Sequence, residues 1–482
     1  MQKWEYLRRN SMNLFDNLPQ RIFSVTEKAT RDKLAKAVQT NPELLAKFEQ
    51  AYREQALGAD TGNLFDVSSK DFVKPAAENK TLEPIVNRIV QELTARTLIL
   101  HVLPDGTIRD EPPELPEITE KPVTNEDLNQ IPLNIRPQLT GTLRKVDIGG
   151  KPSSMELMFL YQDYKKAHGK KKTDLGNLIR QGMEILDLDE CLYELMSLNP
   201  NNMSNWLPKI AEAVQKQDFL KLPETRLAKA PLSLRLDYGM LNTTTLSIVD
   251  KWAMRVFHLD VTKDYFVKTG IFSSKFNFRN AKVTGEQEVR ELGQYLICIQ
   301  NQAVCMAGPL TQPSIVGAAT TNEFAVREFI QDKEQNPCIY QGLPLHTEYR
   351  VFVDFDDQTV LGISPYWRGD VMTTRFNQGA EKSPHDYHDY VVYKAHEETL
   401  NRRYAENRDK VLDAVKNLLP NCRLTGQWSV DIMQNGDDFY LIDMAKADES
   451  ALNDVVPKEL LKHTPDPFLE QLPAVFRKSI DA

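Results

Sequence analysis

The chain has 482 residues, of which 41% are hydrophobic and 26% are charged, and its formal net charge is −9. This composition predicts a folded protein of roughly two to four domains, excludes a chain that is disordered throughout, and argues against nucleic acid as a partner. No apolar run reaches the roughly 18 residues that a membrane-spanning helix needs. Five cysteines without metal-like spacing argue against a disulfide framework or a structural zinc site. We therefore expect a cytoplasmic protein that does not enter a membrane.

The N-terminal half of the chain falls into two predicted regions. Residues 1–125 mix helical stretches with polar connectors, including a helix predicted over 81–93 and a strand over 97–102, and end in a proline-rich acidic linker. Residues 126–225 are predicted to be mostly helical and to form an accessory region. Their lysine run at 165–172 is more typical of a solvated loop than of a phosphate-binding patch. Neither region shows a catalytic pattern, so we expect them to recognise a substrate or a protein partner.

Residues 226–482 form the third predicted region, in which short apolar runs alternate with helical stretches. This pattern predicts a mixed domain of the α/β class, with antiparallel sheets and helices in the α+β manner, after a mostly helical N-terminal region. The predicted helices cover 244–259, 286–306 and 397–419, and the predicted strands cover 232–236, 265–268, 324–330, 348–355, 359–364, 428–433 and 439–444. The polar, histidine-containing segment 384–389 predicts a flexible loop. The last two strands flank Asn435-Gly436, the strongest hairpin signal in the chain.

A lysine ends the strand predicted over 265–268, and a short loop with glycine and serine follows it. Lys268 can place its ammonium on a phosphate, and small residues such as Ser273 and Ser274 let backbone N–H groups and hydroxyls approach phosphate oxygens before a second lysine, Lys275. The segment lacks the Gly-x-x-x-x-Gly-Lys-Ser/Thr pattern of a P-loop. Taken alone, it is more typical of an ordinary strand exit than of a nucleotide site.

The strand over 324–330 ends in a polar, proline-containing loop. At such an end the main chain around Glu328, Phe329 and Ile330 can read an adenine ring, with apolar neighbours on both sides of it. Taken alone, this segment is explained more simply as a core strand.

The strand that begins at Glu348 carries charged residues on one face. Alternate residues of a strand share a face, so Glu348 and Arg350 point one way while Tyr349 and Val351 point the other. A glutamate suits ribose hydroxyls and an arginine suits a phosphate oxygen. A solvent-facing ion pair is the simpler interpretation without further context.

Two aspartates, Asp431 and Asp443, lie in otherwise apolar strands at near-equal distances from the last hairpin turn. Pairing across the hairpin brings them within about a residue of each other, where two buried carboxylates repel at a cost of several kcal/mol. A divalent cation removes this repulsion, and hard oxygen ligands select Mg²⁺ or Mn²⁺. The alternative is arginine partners inside the sheet, or one protonated aspartate.

Taken in chain order, a lysine strand with its loop, an adenine-reading strand, a Glu-x-Arg strand and a carboxylate-bearing hairpin resemble the ATP-grasp superfamily, which includes D-alanine–D-alanine ligase and glutathione synthetase. The resemblance covers about residues 228–455. In overall texture it is closest to uncharacterised ATP-grasp proteins of bacteria and their phages. It implies an ATP-grasp-like C-terminal domain that binds ATP and Mg²⁺ or Mn²⁺.

The resemblance also implies roles for individual residues. Lys268 would contact the ATP phosphates, Arg350 would be a phosphate contact, and Arg368 is a second candidate for steadying the transferred phosphoryl group. Asp431 and Asp443 would hold Mg²⁺ between the β- and γ-phosphates. The other implied nucleotide-binding residues are Ser273, Ser274, Lys275, Glu328, Phe329, Ile330 and Glu348.

The activity implied is that of a ligase, which activates a carboxylate as an acyl phosphate and joins it to an amine on a small molecule, a peptide or a protein. The family usually ends its metal-binding strand with acid-x-Asn, whereas two positions after Asp443 this chain has Ala445. A second hypothesis is therefore an ATP-binding assembly module that positions a partner without ligation. A nucleic-acid ligase with an adenylated Lys268 is disfavoured, because Thr269 precedes Gly270 where that motif has an aspartate.

Overall fold

The computed structural model describes residues 83–95, 97–109, 163, 166–175, 199–230, 243–306, 321–379 and 384–464. The predicted strand over 232–236 and the proline-rich linker lie outside these residues. The strands are β1 Leu98–Val102, β2 Ile108–Arg109, β3 Leu220–Lys221, β4 Thr225–Lys229, β5 Tyr265–Thr269, β6 Lys282–Val283, β7 Glu323–Glu328, β8 Cys338–Ile339, β9 Leu343–Pro344, β10 Glu348–Asp354, β11 Thr359–Pro365, β12 Gln427–Asn435 and β13 Asp438–Lys446. The helices are α1 Glu83–Ala95, α2 Met203–Val214, α3 Thr243–Val256, α4 Gly285–Arg290, α5 Leu292–Met306, α6 Gly369–Gly379 and α7 Pro384–Leu418.

The strands form two larger sheets, which place the protein in the predicted α+β class. The first sheet has the order β2-β1-β4-β7-β5-β6, and all its neighbours are antiparallel. The second has the order β11-β10-β12-β13-β3, antiparallel except where β13 meets β3. A two-stranded ribbon of β8 and β9 is separate. Strands from all three predicted regions contribute to these sheets, and the division of the chain into those regions stays a prediction.

Two apolar cores back the sheets. The apolar stripe of α1 is buried, and it packs with α3, α5 and the first sheet around residues such as Trp252 and Val267. The second core joins α2 and the C-terminal part of α7 to the second sheet, around Trp206, Tyr349 and Val415. None of the helices that the structure describes has the length and apolarity needed to cross a membrane.

The structure corrects two predicted elements. Segment 384–389 is the first part of α7, not a loop, because its polar groups have partners: His388 Nδ1 lies 2.9 Å from Asp389 Oδ1, and the other oxygen of Asp389 accepts a hydrogen bond from the Tyr340 amide at 2.9 Å. Its Pro384 lies in the first turn, where proline is tolerated. The single helix predicted over 286–306 is two helices, which meet at Glu291.

Candidate functional site

A cleft of about 840 Å³, open solvent at its mouth included, lies between the two sheets. Nine of the twelve predicted site residues line it: Lys268, Ser273, Lys275, Glu328, Phe329, Ile330, Glu348, Asp431 and Asp443. They come from β5 and β7 of the first sheet, from β10, β12 and β13 of the second, and from the segments that follow β5 and β7. The fold thus brings together side chains that are far apart in the sequence.

The two aspartates of the last hairpin meet as predicted. Asp431 of β12 is directly opposite Asp443 of β13, and the register shifts just after this pair. Asp431 is almost completely buried, whereas 30% of the Asp443 side chain is exposed. The predicted pairing is confirmed, and the role of the pair as metal ligands stays a prediction.

Each of these carboxylates already has a cationic partner. Arg350 makes a two-pronged ion pair with Asp431, with Nε 2.7 Å from Oδ1 and the second terminal nitrogen 2.6 Å from Oδ2. Lys268 Nζ lies 2.7 Å from Asp443 Oδ2. The repulsion that the sequence argument assigned to a metal ion is therefore balanced by protein cations, and the arginine alternative applies to Asp431.

The donor set fits a metal at one of the two aspartates only. Both oxygens of Asp431 are held by Arg350, and Ala445 offers no side-chain ligand. Asp443 is partly exposed to the cleft, and among the described residues its Oδ1 accepts only the adjacent Met444 amide, at 3.1 Å. Carboxylate oxygen of this kind suits Mg²⁺. We therefore expect Asp443 to be the protein ligand of any Mg²⁺ that accompanies a nucleotide.

The loop after β5 directs Lys275 into the cleft. Ser274 adopts a left-handed conformation, with φ at 47°, and starts a short 3₁₀ helix over 275–280. Its hydroxyl bonds Gln302, so it holds the loop rather than lining the cleft. Lys275 contacts the Tyr366 hydroxyl, and burial lowers the pKa of Lys275 to about 8. Burial raises the pKa of the nearby Glu348 carboxyl to about 7.

The predicted adenine-reading segment differs in detail from its prediction. The Phe329 amide donates to the Asp264 carbonyl oxygen at 2.9 Å, so it is not free to read a base. No partner for the Ile330 amide is found within the described residues, which makes Ile330 the main-chain donor at this end. Glu328 is paired with Lys263 near the surface at 2.8 Å. Apolar side chains of the cleft suit a flat ring: Phe278 lies next to Phe329 and Phe266 lies next to Phe278, and the others are Leu343, Met433 and Ile442.

Arg350 and Arg368 do not line the cleft. Arg350 reaches its edge only through Asp431. Arg368 is paired with Asp370 at 2.7 Å and with Asp454 at 2.8 Å. The predicted contacts of Arg350 and Arg368 with a phosphoryl group stay predictions. To make these contacts, both guanidinium groups would have to break their ion pairs with carboxylates.

The sequence argument missed Arg327, which lines the cleft from β7 and is 5% exposed. Its Nε donates to Thr225 Oγ1 at 3.1 Å, and a terminal nitrogen donates to the Ile442 carbonyl oxygen at 2.7 Å. The available signal was a charged residue in an otherwise apolar strand, the same signal that identified the two aspartates. The sequence argument used this segment only for its main chain.

A second group of residues could hold a cation: Asp332, Glu334 and His346 place one ligand atom each within 4.8 Å of the others. The carboxylates of this group already accept hydrogen bonds from other protein residues. Arg403 bonds Glu334 at 3.3 Å and Asn336 at 2.8 Å, and Asp332 accepts the Asn336 amide at 2.6 Å. We interpret this cluster as the support of the loop over 331–336.

Comparison with solved structures finds two structures of Cdc123 from Schizosaccharomyces pombe. The C-terminally truncated form is 11% identical, with 56% of this chain and 95% of that chain covered and a TM-score of 0.31. The other is 12% identical, with 56% and 94% covered and a TM-score of 0.30. Likeness at this level assigns no family. No protein-family model and no curated protein matches the chain, so the resemblance to ATP-grasp proteins, bacterial and phage ones included, stays a prediction.

The Arg350–Asp431 pair leads to a prediction about stability. We expect Asp431→Asn to lower the free energy of unfolding by about 3 kcal/mol, because it leaves the Arg350 charge buried without a carboxylate. The double variant Asp431→Leu with Arg350→Met should recover most of this loss, since it removes both charges. Denaturant unfolding of the purified proteins measures both effects.

The exposed pair of Lys263 and Glu328 supplies the control for this prediction. Its side chains are 44% and 42% exposed, so Glu328→Gln should change the free energy of unfolding by no more than about 1 kcal/mol. If Asp431→Asn lowers the free energy of unfolding no more than Glu328→Gln does, the Arg350–Asp431 pair does not stabilise the fold as predicted.

Proposed function

We propose that the cleft binds ATP and that the protein is a carboxylate–amine ligase of the ATP-grasp kind. The observation that carries the proposal is the meeting of nine predicted site residues in one cleft, seven predicted to bind the nucleotide and two to bind its metal. The cleft has an apolar end beside Ile330 and a charged end beside Lys268, which is the division that a base with a phosphate chain requires.

The charge of the polar end favours an anionic ligand. Glu328 is paired at the surface and does not contribute. Arg350, which does not line the cleft, neutralises Asp431. The charged groups of the cleft that remain are three cations, Lys268, Lys275 and Arg327, against two carboxylates, Glu348 and Asp443. Burial disfavours an unbalanced positive charge, so a phosphate chain would stabilise this arrangement.

The proposed reaction has two steps. A carboxylate oxygen of the substrate attacks the γ-phosphorus of ATP, and the bond from that phosphorus to the bridging oxygen breaks. The products are an acyl phosphate and ADP. An amine then attacks the acyl carbon, and inorganic phosphate leaves. Lys268 neutralises charge on the phosphate oxygens in the first step. Mg²⁺ bound through Asp443 would supply further charge compensation on those oxygens.

An ATP-dependent assembly module is the second candidate. It is favoured by Ala445 in place of the family's metal-binding asparagine, and by Arg350, which occupies both oxygens of Asp431. A site that can place a metal through one aspartate only is suited to bind ATP and turn it over slowly. In this case nucleotide binding would position a partner, and no bond would be formed.

The phosphate role of Lys268 gives a prediction about binding. Lys268→Ala should weaken ATP binding by roughly tenfold to a hundredfold, the value of a charge-assisted hydrogen bond. Isothermal titration calorimetry with ATP and Mg²⁺ measures it, and circular dichroism checks the fold of each variant. The matched control is Lys221→Ala, because Lys221 also pairs with an aspartate of β13, Asp438, but outside the cleft at 2.6 Å. Equal ATP affinity in wild type and Lys268→Ala would contradict the phosphate role.

The choice between ligase and module depends on turnover. We expect ADP and phosphate release from ATP only when a carboxylate and an amine acceptor are both present. A screen of pooled amino acids, peptides and proteins measures it, and the signal should be lost in Asp443→Asn and kept in Asp438→Asn, which lies outside the cleft on the same strand. ATP binding without turnover in any pool would favour the module. Release that survives Asp443→Asn would contradict the metal role of Asp443.

A further inference from the structure

Arg327 is a buried cation that forms no ion pair with any residue that the structure describes. Its hydrogen bonds go to a hydroxyl, that of Thr225, and to the main-chain oxygen of Ile442, and both acceptors are neutral. Among the described residues it forms no ion pair, and its second terminal nitrogen has no hydrogen-bond partner. Asp443, the carboxylate whose charge acts on Arg327, is already paired with Lys268. Burial accordingly lowers the pKa of Arg327 to about 10.

The two neutral contacts fix the orientation of this guanidinium. Thr225 lies on β4 and Ile442 on β13, so Arg327 is held from both sheets while its side chain lines the cleft. These contacts use Nε and one terminal nitrogen, so the other terminal nitrogen, which has no partner among the described residues, can donate to an oxygen of an anion. An anion bound there would provide the charge that the fold does not supply.

The register of the first sheet orders the cleft residues along the strands. On β7, Arg327 is opposite Phe266 of β5, whereas Lys268 of β5 is opposite Ala325. A ligand that starts at Ile330, at the apolar end, and extends along the strands therefore reaches Arg327 first. The level of Lys268 follows two residues later, or about 7 Å further along the strand. A base at Ile330 would bring the first phosphate of the nucleotide to Arg327 and the later ones to Lys268.

We propose that Arg327 binds the α-phosphate of the nucleotide and makes AMP the smallest part that the site recognises. This inference rests on the proposed nucleotide binding and adds a division of labour to it. Arg327 discriminates a nucleotide from a nucleoside. Lys268, with Asp443 beside it, serves the β- and γ-phosphates.

Calorimetry with adenosine, AMP and ATP tests the proposal. Wild type should bind AMP at least tenfold more tightly than adenosine, since a charge-assisted hydrogen bond has about this value. Arg327→Met should abolish this difference. Lys268→Met should weaken ATP binding and leave the ratio of AMP to adenosine affinity unchanged.

Arg226→Met is the matched control. Arg226 is an arginine of the adjacent strand β4 that also donates to main-chain oxygens, those of Phe257 and His258, and it does not line the cleft. Its AMP affinity should equal that of wild type. If Arg327→Met does not fold, Arg327→Lys provides the test. This variant keeps the charge but loses the planar guanidinium, so it should reduce the preference for AMP over adenosine by several-fold.

The outcomes separate this inference from the proposed function. If wild type binds neither ATP nor AMP, the proposed nucleotide function is wrong and this inference falls with it. If wild type binds ATP and the preference for AMP over adenosine is the same in wild type, Arg327→Met and Arg327→Lys, the α-phosphate role alone is overturned and Arg327 is structural. Loss of the preference in Lys268→Met as well would show that the two cations act on the same phosphate.

Discussion

One ion pair, between Lys268 and Asp443, joins the two sheets across the cleft, and the arrangement of the site depends on it. Lys268 belongs to β5 of the first sheet and Asp443 to β13 of the second, and their charged atoms are 2.7 Å apart. The lysine side chain is only 1% exposed, so its charge would be strongly unfavourable without this carboxylate. Arg327 makes a second polar link between the same sheets, to the main chain of Ile442. At the cleft, the sheets are thus connected by polar contacts.

This constraint gives the cations of the cleft different parts in ligand binding. In the proposed nucleotide complex, Lys268 would exchange Asp443 for a phosphate oxygen, and this exchange would free Asp443 to bind a metal ion. Arg350 would have to give up two short bonds to Asp431, which makes it the least available of the cations. Arg327 has no ion pair among the described residues to give up, so a phosphate contact that it gained would not be offset by one that it lost. The order of availability follows from which charges the fold has already paired.

Local patterns predicted positions well and predicted charge partners poorly. Alternation along β10 places Glu348 and Arg350 on one face, and the hairpin turn sets the register in which Asp431 meets Asp443. Both are properties of a few neighbouring residues. The partners of these charges come from strands distant in the chain, so the pattern could not show that an arginine, and not a metal, compensates Asp431. The helical start over 384–389 was missed for the same reason, since tertiary partners satisfy its polar groups.

A crystal structure of the protein with a non-hydrolysable ATP analogue and Mg²⁺ tests the central claim most directly. The account predicts the base against Ile330, the first phosphate on the free terminal nitrogen of Arg327, and Lys268 moved from Asp443 to the later phosphates. An analogue bound elsewhere, with the Lys268–Asp443 pair intact and the cleft empty, would contradict it.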